Sequence, residues 1–186
     1  MKTEDAEPVW VGEVIRFWFD ELKEEHWFSR SDDIDAQIRE RFLALHEQLV
    51  ADDGRGVTAP RPLLAGVIVL DQFSRNMFRG TARAYAADFI ARRLAGTAIE
   101  QGFDAAMRKH ERLFFYLPFE HSEDREDQVL SLRLFVQLGD EEWTRYALAH
   151  KAIIDRFGRF PHRNAALNRT STAAEIALLK EPMGSF

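Results

Sequence analysis

Leu63-Leu64-Ala65-Gly66-Val67-Ile68-Val69-Leu70-Asp71-Gln72-Phe73 is apolar on every side up to Asp71. A helix that is hydrophobic all round is a buried one. The stretch therefore predicts a helix in the middle of a domain, covered by its neighbours. Its uninterrupted run, Leu63 to Leu70, is eight residues, far short of the roughly 20 that a membrane-spanning helix needs. Before it, Gly54 to Pro62 holds two Gly and two Pro and reads as the clearest loop in the chain.

Upstream of that loop two helices are expected. Pro8 suits a first turn, and Trp10, Val14, Phe17 and Trp18 then share one face of a helix reaching about Leu22. Ser31 is placed to cap a second helix with the stripe Ile34, Ile38, Phe42, Leu45 and Leu49, ending before Gly54. Downstream, Thr81 is placed to cap a helix running to Gly102, with Tyr85, Phe89 and Ile99 apolar. A shorter one, Asp104 to Tyr116, should stop before Pro118. Ser122 would cap a helix bearing Val129, Leu132, Phe135, Val136 and Leu138, closed by Gly139, with Glu123 and Asp124 in its first turn. Glu141 to Phe157 follows, closed by Gly158, and Thr172 with Glu175 forms a capping-box pair opening the last helix. Period-2 alternation is convincing nowhere. Seven or eight helices in antiparallel hairpins, one all-helical domain over residues 1–186, is the expected architecture.

Composition narrows the function classes. Zero Cys excludes disulfides, thiolate zinc sites and cysteine nucleophiles, and 15 Phe with 4 Trp supply more burial than a disordered chain contains. A net charge of −6 argues against phosphate-backbone binding, so neither nucleic acid nor membrane is expected as a partner. The start Met1-Lys2-Thr3-Glu4-Asp5 has no apolar signal stretch, and a cytoplasmic location is the expectation.

Chemistry concentrates where local rules are broken. Asp71 falls at the expected C-terminal end of the central helix, where the partial charge is already negative. Arg75 and Arg79 follow at successive four-residue steps as compensating cations, and the alternative to pocket chemistry is a structural Asp–Arg lock. Glu120 and His121 lie between aromatics in Tyr116 to Glu123, where neither is needed for capping. No metal spacing accompanies them, and neither metal nor cofactor is expected. His150 is in register with Trp143, Ala147, Ile154 and Phe157 and points at the core. Arg156 to Asn164 brings Arg159, His162, Arg163 and Asn164 together around Gly158 and Pro161, and Arg75-Asn76 with Arg79 carries similar chemistry. Guanidinium forks suit carboxylate or phosphate. The alternative is solvated surface, since 20 of the 25 basic residues are Arg.

Leu70 to Thr81, Tyr116 to Glu123 and Arg156 to Asn164, together with Phe17-Trp18-Phe19, Trp27-Phe28 and Ser171-Thr172, resemble the bacterial domain of unknown function 924 family. The resemblance implies an all-helical fold similar to tetratricopeptide-like domains, although the repeat consensus is absent, and it implies no activity. Three positions depart from the family's pattern: Ser74 where proline is usual, expected to loosen the turn after Asp71; Ile34 where phenylalanine is common; and Asn168 where glycine is expected. Asparagine tolerates the left-handed geometry such a glycine would adopt.

Two functions follow as expectations. In the first, Asp71, Glu120, His121 and His162 form the catalytic groups of a pocket for a small anionic ligand held by Arg75, Asn76, Arg79, Arg159, Arg163 and Asn164, with His150 behind them. An imidazole paired with a carboxylate moves the proton in ester or phosphoester hydrolysis. No serine elbow, P-loop or dinucleotide fingerprint is present. In the second, a helical scaffold binds a protein or peptide partner along a concave groove, with arginines and aromatics as anchors.

Overall fold

Residues 60–77 form a single run of helix with one irregularity, and every residue from 63 to 74 is buried. In the computed structural model, which describes residues 7–182 and Gly184, this run is the hub. It is preceded by α1 (Val9–Arg16), which continues into a π-helical turn at Phe17–Glu21, by the short α2 (Glu24–Trp27) and by α3 (Asp32–Ala51). The run itself comprises α4 (Pro60–Val67), a π-helical turn at Ile68–Phe73 and α5 (Ser74–Met77). Then come α6 (Asp88–Glu100), α7 (Lys109–Glu120), α8 (Arg125–Leu138), α9 (Glu141–Phe157) and α10 (Ala173–Leu178). There is no strand among the described residues, and none of their helices is long and apolar enough to cross a membrane.

The hub packs against α1, α3, α6 and α7, and aromatic rings fill the join. Phe73 meets Phe17, Trp18 and Phe42, while Phe114 receives Trp18 and Trp27 edge-on. Such pairs add about 0.5–1.5 kcal/mol each beyond their area. The helices α7, α8 and α9 follow one another as hairpins. Arg125, at the start of α8, hydrogen-bonds the carbonyl of Asp155 near the end of α9, as antiparallel neighbours require.

Several local expectations hold. Ser31 accepts a hydrogen bond from the Ile34 amide, and Thr172 with Glu175 completes a capping box. Gly139 and Gly158 close α8 and α9 in the left-handed region, at φ 71° and 68°, and Asn168 takes that geometry at φ 53°.

Others are overturned. The central helix does not end at Asp71 but runs on to Met77, so the C-terminal dipole is not what burdens that carboxylate. The irregularity is a wider turn whose carbonyls receive side-chain donors: Ser74 Oγ donates to the Leu70 oxygen at 2.7 Å and Arg75 Nη1 to the Asp71 oxygen at 2.7 Å. Ser74 is fully buried and also meets His46 Nε2 at 2.8 Å, so the turn is tied rather than loosened. Pro118 lies inside α7, because residues 113–120 are all buried and their packing outweighs the preference against helix before proline. Thr81 caps no long helix; its hydroxyl donates back to Phe78, a 3₁₀ turn follows at Ala82–Ala84, and α6 begins only at Asp88. Phe89 on α6 and Val129 and Val136 on α8 are exposed rather than core residues. Asp124, not Ser122, caps α8, and Glu123 stands outside that helix.

Candidate functional site

The wide turn at Ile68–Phe73 aims Asp71 inward, where its side chain is 1% exposed. His121, the first residue past α7, reaches it from the other side: Nδ1 is 2.9 Å from each carboxylate oxygen. A carboxylate only accepts, so Nδ1 carries the proton and donates. Gln72 Nε2 donates to Oδ2 at 2.6 Å, and the Arg75 guanidinium, one helical turn on, lies 3.2 Å from Oδ1.

The end of α7 is fixed in place by a residue of α8. Gln128, fully buried, donates through its amide nitrogen to the carbonyls of Glu120 and Ser122 at 2.7 Å and of Phe119 at 3.4 Å. Gln128→Leu leaves those carbonyls without their donor. We expect a loss of about 1–3 kcal/mol, read as a lowered Tm in thermal unfolding, and a change within 0.5 kcal/mol would contradict this account.

A chain of charges links the turn to the segment after α9. Arg75 makes a bidentate pair with Asp88 at 3.1 Å and 3.1 Å. Asp88 opens α6, where the helix end favours a carboxylate. Arg163, within a 3₁₀ turn at Pro161–Arg163, adds a contact to Asp88 at 3.4 Å and donates to the His121 carbonyl at 2.8 Å. Its guanidinium stacks over the rings of Tyr85 and Phe160, at 4.6 Å and 4.7 Å.

Protonation follows from these neighbours. Burial works to raise the Asp71 carboxyl, but the Arg75 charge, His121 and the hydrogen bonds outweigh it, so the group stays ionised well below the usual carboxylate range. Burial lowers His121 against the pull of Asp71, with Arg75 and Arg163 lowering it further. The imidazole is therefore neutral at ordinary pH, with Nδ1 committed to Asp71 and Nε2 left as a lone-pair acceptor. No side chain among the described residues hydrogen-bonds Nε2.

Behind this pair lies a second one. His150 Nδ1 donates to the Tyr146 carbonyl at 2.9 Å and sits 3.2 Å from Glu120 Oε1, with the His121 and His150 ring centroids 6.2 Å apart. Burial, reinforced by Asp71, pushes Glu120 up to about 8, and its Oε2 is buried without a hydrogen bond among the described residues. Burial and His121 hold His150 well below the ordinary histidine value. His162 packs on Phe160 and is pushed down to about 3 by burial and by Arg163 and Arg75.

Asp71, Arg75, Glu120, His121, His150, His162 and Arg163 thus share one region. Asn76 and Arg79 do not belong to it, since both hold Asp35 on α3. Arg159 grips Glu175 at the head of α10, and Asn164 hydrogen-bonds Ser171 inside its own loop.

An open cleft of about 330 Å3 lies over this region, and His121, Asp88 and Arg163 line it together with Tyr85, Phe89, Arg92, Glu123 and Arg169. Asp88, Tyr85, Arg92 and Arg169 escape a reading of the sequence. A start of α6 at Asp88 would have exposed the first as an acidic residue at a helix head; the others carry no local signal. Arg92 pairs with Asp127 at 2.9 Å and Arg169 with Glu123 at 2.8 Å. Among the described residues no group of three or more His, Asp or Glu side chains is placed to hold a metal ion.

Comparison with known proteins follows the same outline. The family described as bacterial protein of unknown function (DUF924) matches residues 14–183. A solved structure of a protein of unknown function from Agrobacterium tumefaciens is similar at 38% identity and a TM-score of 0.87, over 92% of this chain and 97% of that one. No curated protein matches the chain.

Proposed function

Since the chain belongs to the bacterial family of proteins of unknown function (DUF924), membership assigns no reaction, and we propose one from the site itself. The protein binds a small anionic ester or phosphoester in the cleft, and His121 acts there as a general base on water. The supporting observation is the His121 imidazole lining a cleft flanked by guanidiniums, with its Nδ1 held 2.9 Å from the buried Asp71 carboxylate and Nε2 without a hydrogen bond to any described side chain.

In the reaction Nε2 takes a proton from the attacking water, the bond between the acyl or phosphoryl centre and its leaving oxygen breaks, and the same proton is returned to that oxygen. Asp71 holds the tautomer and stabilises the imidazolium formed in between. Arg92 and Arg169 contact their carboxylates through one nitrogen each, which leaves further N–H groups of each fork for the ligand's oxygens. His150 and Glu120 act behind the pair by filling and holding it. The alternative, a scaffold for a protein or peptide, requires arginines and aromatics spread along an exposed groove. Arg163, 6% exposed, and His121, whose side chain is 15% exposed, meet in one cleft and favour a pocket instead.

p-Nitrophenyl phosphate and p-nitrophenyl acetate, followed by release of p-nitrophenolate near neutral pH, test this reading. We expect turnover of one of them and a fall of about 100-fold or more in His121→Gln, with that variant still melting cooperatively. Absence of turnover for both, together with no rise in Tm on adding inorganic phosphate, would overturn it.

A further inference from the structure

We propose that the ligand joins its anionic group to a small apolar moiety, an aryl or short acyl group, seated on the stretch 82–89; this rests on the anion-site reading above. The cleft draws its lining from segments of different character. Residues 121–123 and 163–169 contribute His121, Ser122, Glu123, Arg163 and Arg169, with Leu167 the apolar exception. The stretch 82–89 contributes Ala82, Tyr85, Ala86 and Phe89, with Asp88 the charged exception, and Arg92 follows one turn further along α6.

Tyr85 packs in part against the core, but Ala82, Ala86 and Phe89 are exposed and do not. Phe89 is 55% exposed in the first turn of α6, while its helix packs inward through Ile90, Ala91 and Leu94. Single exposed apolar residues are normal, but here an exposed phenylalanine, two small alanines and the part-buried Tyr85 line the same cleft as His121. The alanines leave room for a ring beside Phe89 and Tyr85. Arg163 over the Tyr85 ring draws the apolar and cationic parts of the site together. The volume, about 330 Å3, lies at the lower end of small-molecule sites, roughly 300–1,000 Å3, and suits one ring plus one anionic group.

Methylphosphonate and phenylphosphonate carry the same anionic group and differ in the ring. Their affinities for the full chain, measured by isothermal titration calorimetry, separate the two parts of the site. We expect phenylphosphonate to bind about ten-fold more tightly, the effect of removing one ring from water. Phe89→Ser should erase most of that difference while leaving methylphosphonate within about two-fold. Ala86→Leu, which fills the apolar side without touching a charge, should act in the same direction. Equal affinity for the two compounds would overturn this inference and leave the anion site standing. Binding of neither would overturn both.

Discussion

Asp71→Asn is expected to lower stability by about 3–5 kcal/mol, the cost of breaking a buried ion pair from one side. For a chain of this size that is a fall in Tm of about 10 °C. The substitution preserves shape but removes the negative charge that Arg75 and His121 face, and it sets an amide nitrogen against the donating amide of Gln72. Arg75 keeps Asp88, so the fold should survive the loss. In a double-mutant cycle with Arg75→Met the combined cost should be less than the sum of the single costs, because each single variant already removes their mutual attraction, while the loss of Asp88's partner enters both Arg75→Met arms and cancels. Chemical denaturation of the four proteins provides the measurement. A single-variant cost below about 1 kcal/mol would mean that Asp71 is not an ionised partner, and the tautomer assigned to His121 would lose its basis.

A second large effect concerns pH. Glu120 is pushed up to about 8 in the folded chain from an ordinary 4.5, so its contribution is fully present below pH 4.5 and is lost as pH rises through 8. Over the whole titration the change is on the order of 5 kcal/mol. His46, His121, His150 and His162 are held below their ordinary 6.5. Their contribution is full above pH 6.5 and is lost as pH falls below it. The two trends oppose each other in the acid range, and only Glu120 continues to change between pH 6.5 and 8. Stability should therefore peak near pH 6.5 and decline by about 2 kcal/mol at pH 8. Glu120→Gln, which cannot ionise, should hold its value over that interval. Urea unfolding at both pH values compares them, and an equal decline in the variant would refute the assignment.

How far the sequence speaks for itself depends on whether the decisive interaction is local. The cap at Ser31, the box at Thr172 and Glu175, and the left-handed positions Gly139, Gly158 and Asn168 each involve neighbours within a turn, and each is legible. So is the buried helix containing Leu63 to Leu70, through its composition alone. Pro118 is misleading because the burial that keeps its helix going comes from other segments. The partner of each arginine is equally hidden. Arg79 follows Asp71 by eight positions and yet holds Asp35, while Arg163 meets Asp88 across 75 positions. His121 and Asp71 stand out as chemically unusual, but only the folded chain places imidazole and carboxylate face to face.

The wide turn at Ile68–Phe73 has a consequence for insertions and deletions. A π-helical turn accommodates one residue more than the regular spiral around it. Removing one residue from it would let the backbone return to the ordinary pitch with the helical segments on either side still facing as they do, so the change falls on the turn itself and on the aim of Asp71. A single-residue deletion in this segment should accordingly disturb the Asp71–His121 pair more than the packing of the helix around it.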